Sequence, residues 1–125
     1  MISLKRVRIR VTVYEAQLID TLVDPYIVLI EGPDEKTLMK HRSPLALNGG
    51  KTPKWNWTND FLVNSLDEEL RFQVKNNGDT LSDDFACEGQ QQLSNMLGQS
   101  VKNKKEWYRV TDKDGKDAGK VLLEV

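Results

Sequence analysis

The chain has 125 residues, with 18 Lys plus Arg against 19 Asp plus Glu and a formal net charge of -1. That length holds one compact domain with one core, here taken as residues 1–125, and the near-balanced charge argues against both a general nucleic-acid binder and an acidic tail. A single cysteine excludes an internal disulfide, and the N-terminal stretch lacks the continuous apolar run of a signal peptide or membrane span, so a cytoplasmic protein is expected.

From Lys5 to Val13 the residues alternate strictly, Val7, Ile9, Val11 and Val13 on one face and Arg6, Arg8, Arg10 and Thr12 on the other, which predicts a half-buried strand. Asp24-Pro25 introduces the apolar run Tyr26–Ile30, read as an interior strand. Gly32-Pro33-Asp34 supplies a turn, Thr37–Arg42 returns as a mixed strand, and Pro44 ends it. A loop through Asn48-Gly49-Gly50 and Pro53 leads into a strand over Trp55–Val63, where Asn59 and Asp60 break the alternation and suggest a bulge or a local insertion. Leu70, Phe72 and Val74 alternate again, a polar loop spans Asn76–Asp84, and Phe85 opens a short strand. Leu93–Ser100 suggests a helical turn, and Trp107–Val110 and Lys120–Val125 close the chain as two strands. Eight short strands with punctuated loops predict an all-β, eight-stranded antiparallel β-sandwich.

Four segments, in order, carry a family resemblance. They are Glu15-Ala16 with Leu18, Asp20 and Asp24-Pro25-Tyr26-Ile27-Val28-Leu29; Gly49–Asn56; Leu70–Val74 followed by Asp83-Asp84-Phe85; and Trp107-Tyr108 to Gly119–Val125. Together they resemble the C2 domains, the membrane-docking modules of protein kinase C, synaptotagmins and cytosolic phospholipases. Few residues precede the first loop and a full strand follows Trp107–Val110, a pattern similar to the type II topology, which implies that the last strand lies beside the first.

The resemblance implies a calcium cradle of about five carboxylates between loops, since a hard cation takes roughly 6–8 oxygen ligands. Asp24 and Asp84 match ligand positions, and Asp20 is a candidate first ligand. Asn76 and Gly78 stand where the third loop of the family carries aspartates, with Asp79 and Asp83 as substitutes. The depleted charge implies weak or absent calcium dependence and leaves one bound Ca2+ open. An Asp before Pro at a strand entry also serves as a turn cap, the alternative role for Asp24.

Basic residues carry the second implication. Arg6, Arg8 and Arg10 on the first strand, Lys36, Lys40 and Arg42 on the third, and Lys120 between them would form one basic sheet face, similar to the surface through which some family members bind phosphoinositide headgroups. Outward charges on strands also serve simple solvation and edge protection. Leu22, Val23 and Leu81 are loop-tip candidates for membrane insertion. The resulting expectation is a non-enzymatic module that docks peripherally on anionic phospholipid or phosphoinositide membrane, the alternative being a protein-interaction or scaffold module without lipid binding.

Other features receive structural readings. The Asn56-Trp57-Thr58 sequon lies in a Trp-rich apolar segment with no secretion signal, and Trp55, Trp57 and Trp107 are read as packing residues. Asp112-x-Asp114-Gly115 begins like an EF-hand but has Asp117 and Leu123 where that loop needs Gly and Glu. Cys87 is expected as a small buried side chain, and no nucleophile-base pair or phosphate loop points to an enzyme.

Overall fold

A computed structural model describes residues 7–31, 39–76, 84–97 and 105–125. Eight strands follow in order: β1 (Val7–Leu18), β2 (Pro25–Glu31), β3 (Met39–Arg42), β4 (Lys54–Val63), β5 (Glu69–Asn76), β6 (Asp84–Gln92), β7 (Lys105–Thr111) and β8 (Asp117–Glu124). Among the described residues one short helix, α1 (Leu93–Leu97), lies between β6 and β7. Every pairing is antiparallel, in the order β3-β2-β5-β6-β7-β8-β1-β4. Because β6 and β7 share one registered pair, Glu88↔Thr111, the ladder folds there into two four-stranded layers. The layers β3-β2-β5-β6 and β7-β8-β1-β4 enclose the core, making the expected antiparallel sandwich.

Local residue pattern explains each layer. On β1, Ile9, Val11 and Val13 point inward at 3% exposure or less. A bulge at Tyr14 then resets the alternation so that Ala16 and Leu18 also enter the core, and the strand runs five residues beyond the expected end. Opposite that bulge, Asn56 adopts a φ of 46°. Asn59 and Asp60, expected to break β4, instead sit in regular register against Val11 and Arg10; the irregularity belongs to the Trp55-Asn56 step. In the other layer Ile27 and Leu29 meet Phe72 and Val74 across the β2–β5 ladder.

Two glycines set the closest approaches. A side chain at Gly89 on β6 would place its Cβ 2.4 Å from the Phe72 ring and 2.7 Å from the Arg109 carbonyl oxygen, so only glycine lets β6 and β7 meet over Phe72. At Gly119 φ is 127°, and a Cβ would lie 2.1 Å from the Gln17 carbonyl oxygen. Glycine there lets β8 lie beside β1, paired from Thr12↔Glu124 to Leu18↔Gly119, which is the expected adjacency of first and last strands.

The position of β8 corrects the expected basic face. β8 lies between β7 and β1, while β3 is the far edge of the other layer, paired only to β2. Arg8, Arg10 and Lys120 therefore share one layer and Arg42 belongs to the other, so these side chains do not form a single surface. Lys40 occupies a β3 register position opposite Ile30, and Arg6 and Lys36 lie outside the described residues.

Candidate functional site

At one end of the sandwich the β1–β2 loop, the segment 43–53 and the end of β5 are tied together. Leu22 and Gly50 exchange backbone hydrogen bonds (2.9 and 3.3 Å), and Gly49 N–H donates to the Val23 carbonyl (3.2 Å). The Trp55 indole N–H donates to the Pro25 carbonyl at 3.1 Å, anchoring β4 to the start of β2. Two of the expected calcium ligands take part in this lacing. Asp24 Oδ1 accepts the Asn48 N–H at 2.9 Å, and Asn76 Oδ1 accepts the N–H groups of Val23 (3.0 Å) and Asp24 (3.3 Å).

These bonds bear directly on calcium. An amide oxygen that already receives two N–H groups turns its lone pairs toward donors rather than toward a cation, and Asp24 gives one of its two oxygens to a loop bond. Asp20 is exposed in the same loop. Asp84 opens β6 opposite Asn76 in register, with its side chain outside what is described, as are Asp79 and Asp83. Among the described residues no group of three or more His, Cys, Asp or Glu side chains could hold a metal ion. Of the expected ligands only Asp20, Asp24 and Asn76 have described side chains, and two of these three already accept loop hydrogen bonds. Asp24 fills the capping role of an Asp before Pro, across loops rather than within one.

Exposed aliphatic side chains cluster on the same loop end. Val23 is 61% exposed and Leu47 72% exposed, on segments joined by the Gly49–Val23 and Asn48–Asp24 hydrogen bonds. Leu22, expected beside Val23 as an inserting residue, is half-buried and packs on the core, because its backbone bridge to Gly50 turns it inward. Leu81 lies outside the described residues. Sequence reasoning missed Leu47, since no periodicity marks a single leucine in a loop.

The outer face of the layer β3-β2-β5-β6 adjoins this end. Tyr26, Val28 and Ile30 point outward from β2 yet are buried, packed with Leu45. The Arg42 guanidinium lies 4.0 Å over the Tyr26 ring. Across the ladder Tyr26 faces Lys75, Val28 faces Gln73 and Ile30 faces Arg71, while Gln73 Nε2 donates to Glu88 at 3.0 Å. Arg42, Arg71 and Lys75 thus surround a sealed apolar strip. Sequence reasoning missed Arg71 and Lys75, although they alternate with Leu70, Phe72 and Val74, which places them outward once β5 is known to pack through that triplet.

The opposite layer differs. Arg10 forms a two-point ion pair with Asp60 (2.9 and 3.3 Å) that raises the guanidinium pKa and lowers that of the carboxyl. Arg8 and Lys120 are exposed and form no ion pair among the described residues. Burial, with the charges of Asp20 and Asp112, pushes the Cys87 thiol up to about 12, which leaves a protonated core side chain at neutral pH. Asp112 Oδ1 accepts the N–H groups of Asp114 (2.9 Å) and Lys116 (3.0 Å), so the residues that resemble an EF-hand start brace a turn.

Comparison with known proteins agrees with this architecture. The family model for the C2 domain matches residues 7–110, and the chain belongs to that family. A solved structure of one C2 domain of plant extended synaptotagmin 1 superposes with a TM-score of 0.74 at 16% identity, covering 93% of this chain and 89% of that one. A C2 domain-containing protein from a putative elicitor-responsive gene gives 0.73 at 22% identity, over 98% and 89% of the two chains. The tandem C2 domains of extended synaptotagmin 2, with calcium bound, give 0.68 at 22%, over 94% of this chain and 44% of that one. A human GIVD cytosolic phospholipase A2 matches over 16% of its own length. At these identities the likenesses establish the fold. No curated protein matches the sequence. Among the described residues no helix is long and apolar enough to cross a membrane.

Proposed function

We propose that this C2 domain is a non-enzymatic module that docks on anionic phospholipid, loop end first, with weak or absent calcium dependence. The observation that supports it is the loop end itself, whose segments are held by hydrogen bonds within the protein and which carries Val23 and Leu47 on adjoining segments, 61% and 72% exposed. Each aliphatic side chain fully transferred to lipid contributes at most ~1.5–3 kcal/mol. Lys75, next to Asn76 at the loop end and opposite Tyr26, and Arg42, opposite Val28 two residues further along β2, would meet the headgroups, each cation near an anionic leaflet contributing about 1 kcal/mol. Arg71 would extend that basic strip away from the loops.

Sedimentation with phosphatidylcholine vesicles, with and without phosphatidylserine or phosphoinositide, tests the reading at two salt concentrations and with calcium or chelator. Binding is expected to require anionic lipid, to weaken with salt and to change little with calcium. The pair Val23→Asp and Leu47→Asp should weaken it by roughly 10–100-fold, and Arg42→Glu with Lys75→Glu should remove the salt-sensitive part. Absence of salt-sensitive binding to anionic vesicles would sink the proposal.

A further inference from the structure

The outer face of the layer β7-β8-β1-β4 points away from the strip just described and has a different design. On β7, Val110 and Tyr108 face the core, Tyr108 meeting Phe72 edge-on at 5.9 Å, so Lys105, Trp107 and Arg109 face outward. Trp107 is 38% exposed in the middle of that strand. Across the ladder Arg109 pairs with Lys120, Trp107 with Leu122, and Lys105 with Glu124. Lys120 Nζ lies 4.8 Å over the Trp107 ring and Lys105 Nζ 4.1 Å over the Tyr14 ring, whose hydroxyl donates to Glu124. Glu124 is thus engaged, while Lys105, Arg109 and Lys120 form no ion pair among the described residues.

We propose that this face is a docking surface for an extended acidic protein segment with the pattern acid-x-apolar-x-acid. In a strand, alternate side chains share a face and repeat about every 6.6–6.8 Å, so Lys105, Trp107 and Arg109 present cation, aromatic and cation at that spacing. An extended partner running along β7 repeats at the same interval. It places carboxylates on Lys105 and on the Arg109–Lys120 pair, and an apolar side chain on Trp107 and Leu122. The cations held on aromatic rings lose less rotamer freedom on binding, and Trp and Arg are the side chains that most often anchor interfaces. A lipid leaflet fits less well. Glu15 and Glu124 lie in the same rows as Trp107 and Lys105, where a uniformly anionic plane would meet them, and Trp107 is set into a strand face rather than on a protruding loop. A polypeptide can place its charges to avoid both. This inference does not rest on lipid docking.

The test titrates isotope-labelled protein with a capped peptide, Glu-Thr-Leu-Thr-Glu, and with its scrambled isomer Glu-Glu-Thr-Leu-Thr, following amide and indole NMR signals. The ordered peptide is expected to shift the Trp107 indole signal and the amides of β7 and β8, and to bind at least threefold more tightly than the isomer. Lys105→Glu with Arg109→Glu should weaken binding by ten times or more, Trp107→Ala should abolish the preference for the ordered peptide, and Arg42→Glu should change neither. Thermal midpoints establish that each variant is folded. Equal binding of the two peptides, shifts centred on Arg42 and Lys75, or quenching of Trp107 by brominated anionic vesicles would each overturn the proposal.

Discussion

The two outer faces of the sandwich solve the same problem in opposite ways. The β3-β2-β5-β6 face places Tyr26, Val28 and Ile30 outward from β2 yet keeps them buried, in a cluster against which Leu45 packs, so that β2 is apolar on both sides. The β7-β8-β1-β4 face leaves Arg8, Arg10, Lys105, Trp107, Arg109 and Lys120 exposed and spaces cations, aromatics and acids between one another. The first face therefore contributes to stability and carries its charge around a sealed strip. The second keeps more of its outward side chains exposed, so truncation there is expected to cost less.

Truncation should expose that asymmetry most strongly. Ile30→Ala removes a side chain that is 3% exposed although it points away from the main core, and should cost about 2–4 kcal/mol. Leu122→Ala, on the other outward face and half-exposed, should cost about 0.5 kcal/mol. Urea denaturation of the two variants measures the difference through their midpoints at constant slope. Similar losses for both would mean that the outward cluster on β2 contributes no real second core.

What is legible in the sequence follows the same division. Alternation along β1 and the continuous run of β2 are legible because periodicity is local, and the first-to-last strand adjacency follows from the family's topology. The single basic face fails because alternation tells which face a side chain takes but not which strand lies alongside. Arg8 and Arg42 both alternate outward, yet β8 separates β1 from β7, not from β3. Trp107, expected to pack as Trp55 and Trp57 do, faces outward, and only those two pack on the core. Val110, inward at the same strand, already sets Trp107 to the opposite parity, a signal that three tryptophans of one kind obscure. β6 looks like a short strand in sequence because Cys87 and Gly89 are too small to mark a core stripe; at Gly89 the Phe72 ring leaves no room for a side chain. In the loop end, Asp24 and Asn76 are legible as residues of interest, but their hydrogen-bond partners depend on backbone placement that no local pattern encodes.

The loop end offers the next contrast, since it meets the sealed face and yet is held by polar bonds. Asn76→Ala removes the acceptor for two amides, and should lower stability by about 0.5–1.5 kcal/mol while accelerating hydrogen exchange at Val23 and Asp24. Asn76→Asp keeps a carboxylate oxygen in place and should preserve protection at both amides. Unchanged exchange in the alanine variant would show that Asn76 does not hold the loop, and the preformed loop end proposed for docking would lose its basis.

The smallest expected effect concerns the edge of the sealed face. His41 lies on β3 opposite Leu29, half-buried, and desolvation lowers its pKa below the ordinary 6.5. The unfolded chain therefore binds this proton more tightly than the native protein. The stabilisation is complete above about pH 6.5 and declines as pH falls below the unfolded value, through the lower folded one. His41→Gln, which is neutral throughout, should flatten that part of the stability–pH curve, and Asp60, whose lowered pKa acts only near the carboxylate range, should leave the same window unchanged when replaced by Asn. Thermal midpoints between pH 5 and 7.5 would reveal the difference, and the same slope in wild type and His41→Gln would mean that the β3 edge admits enough water to solvate the charged imidazole.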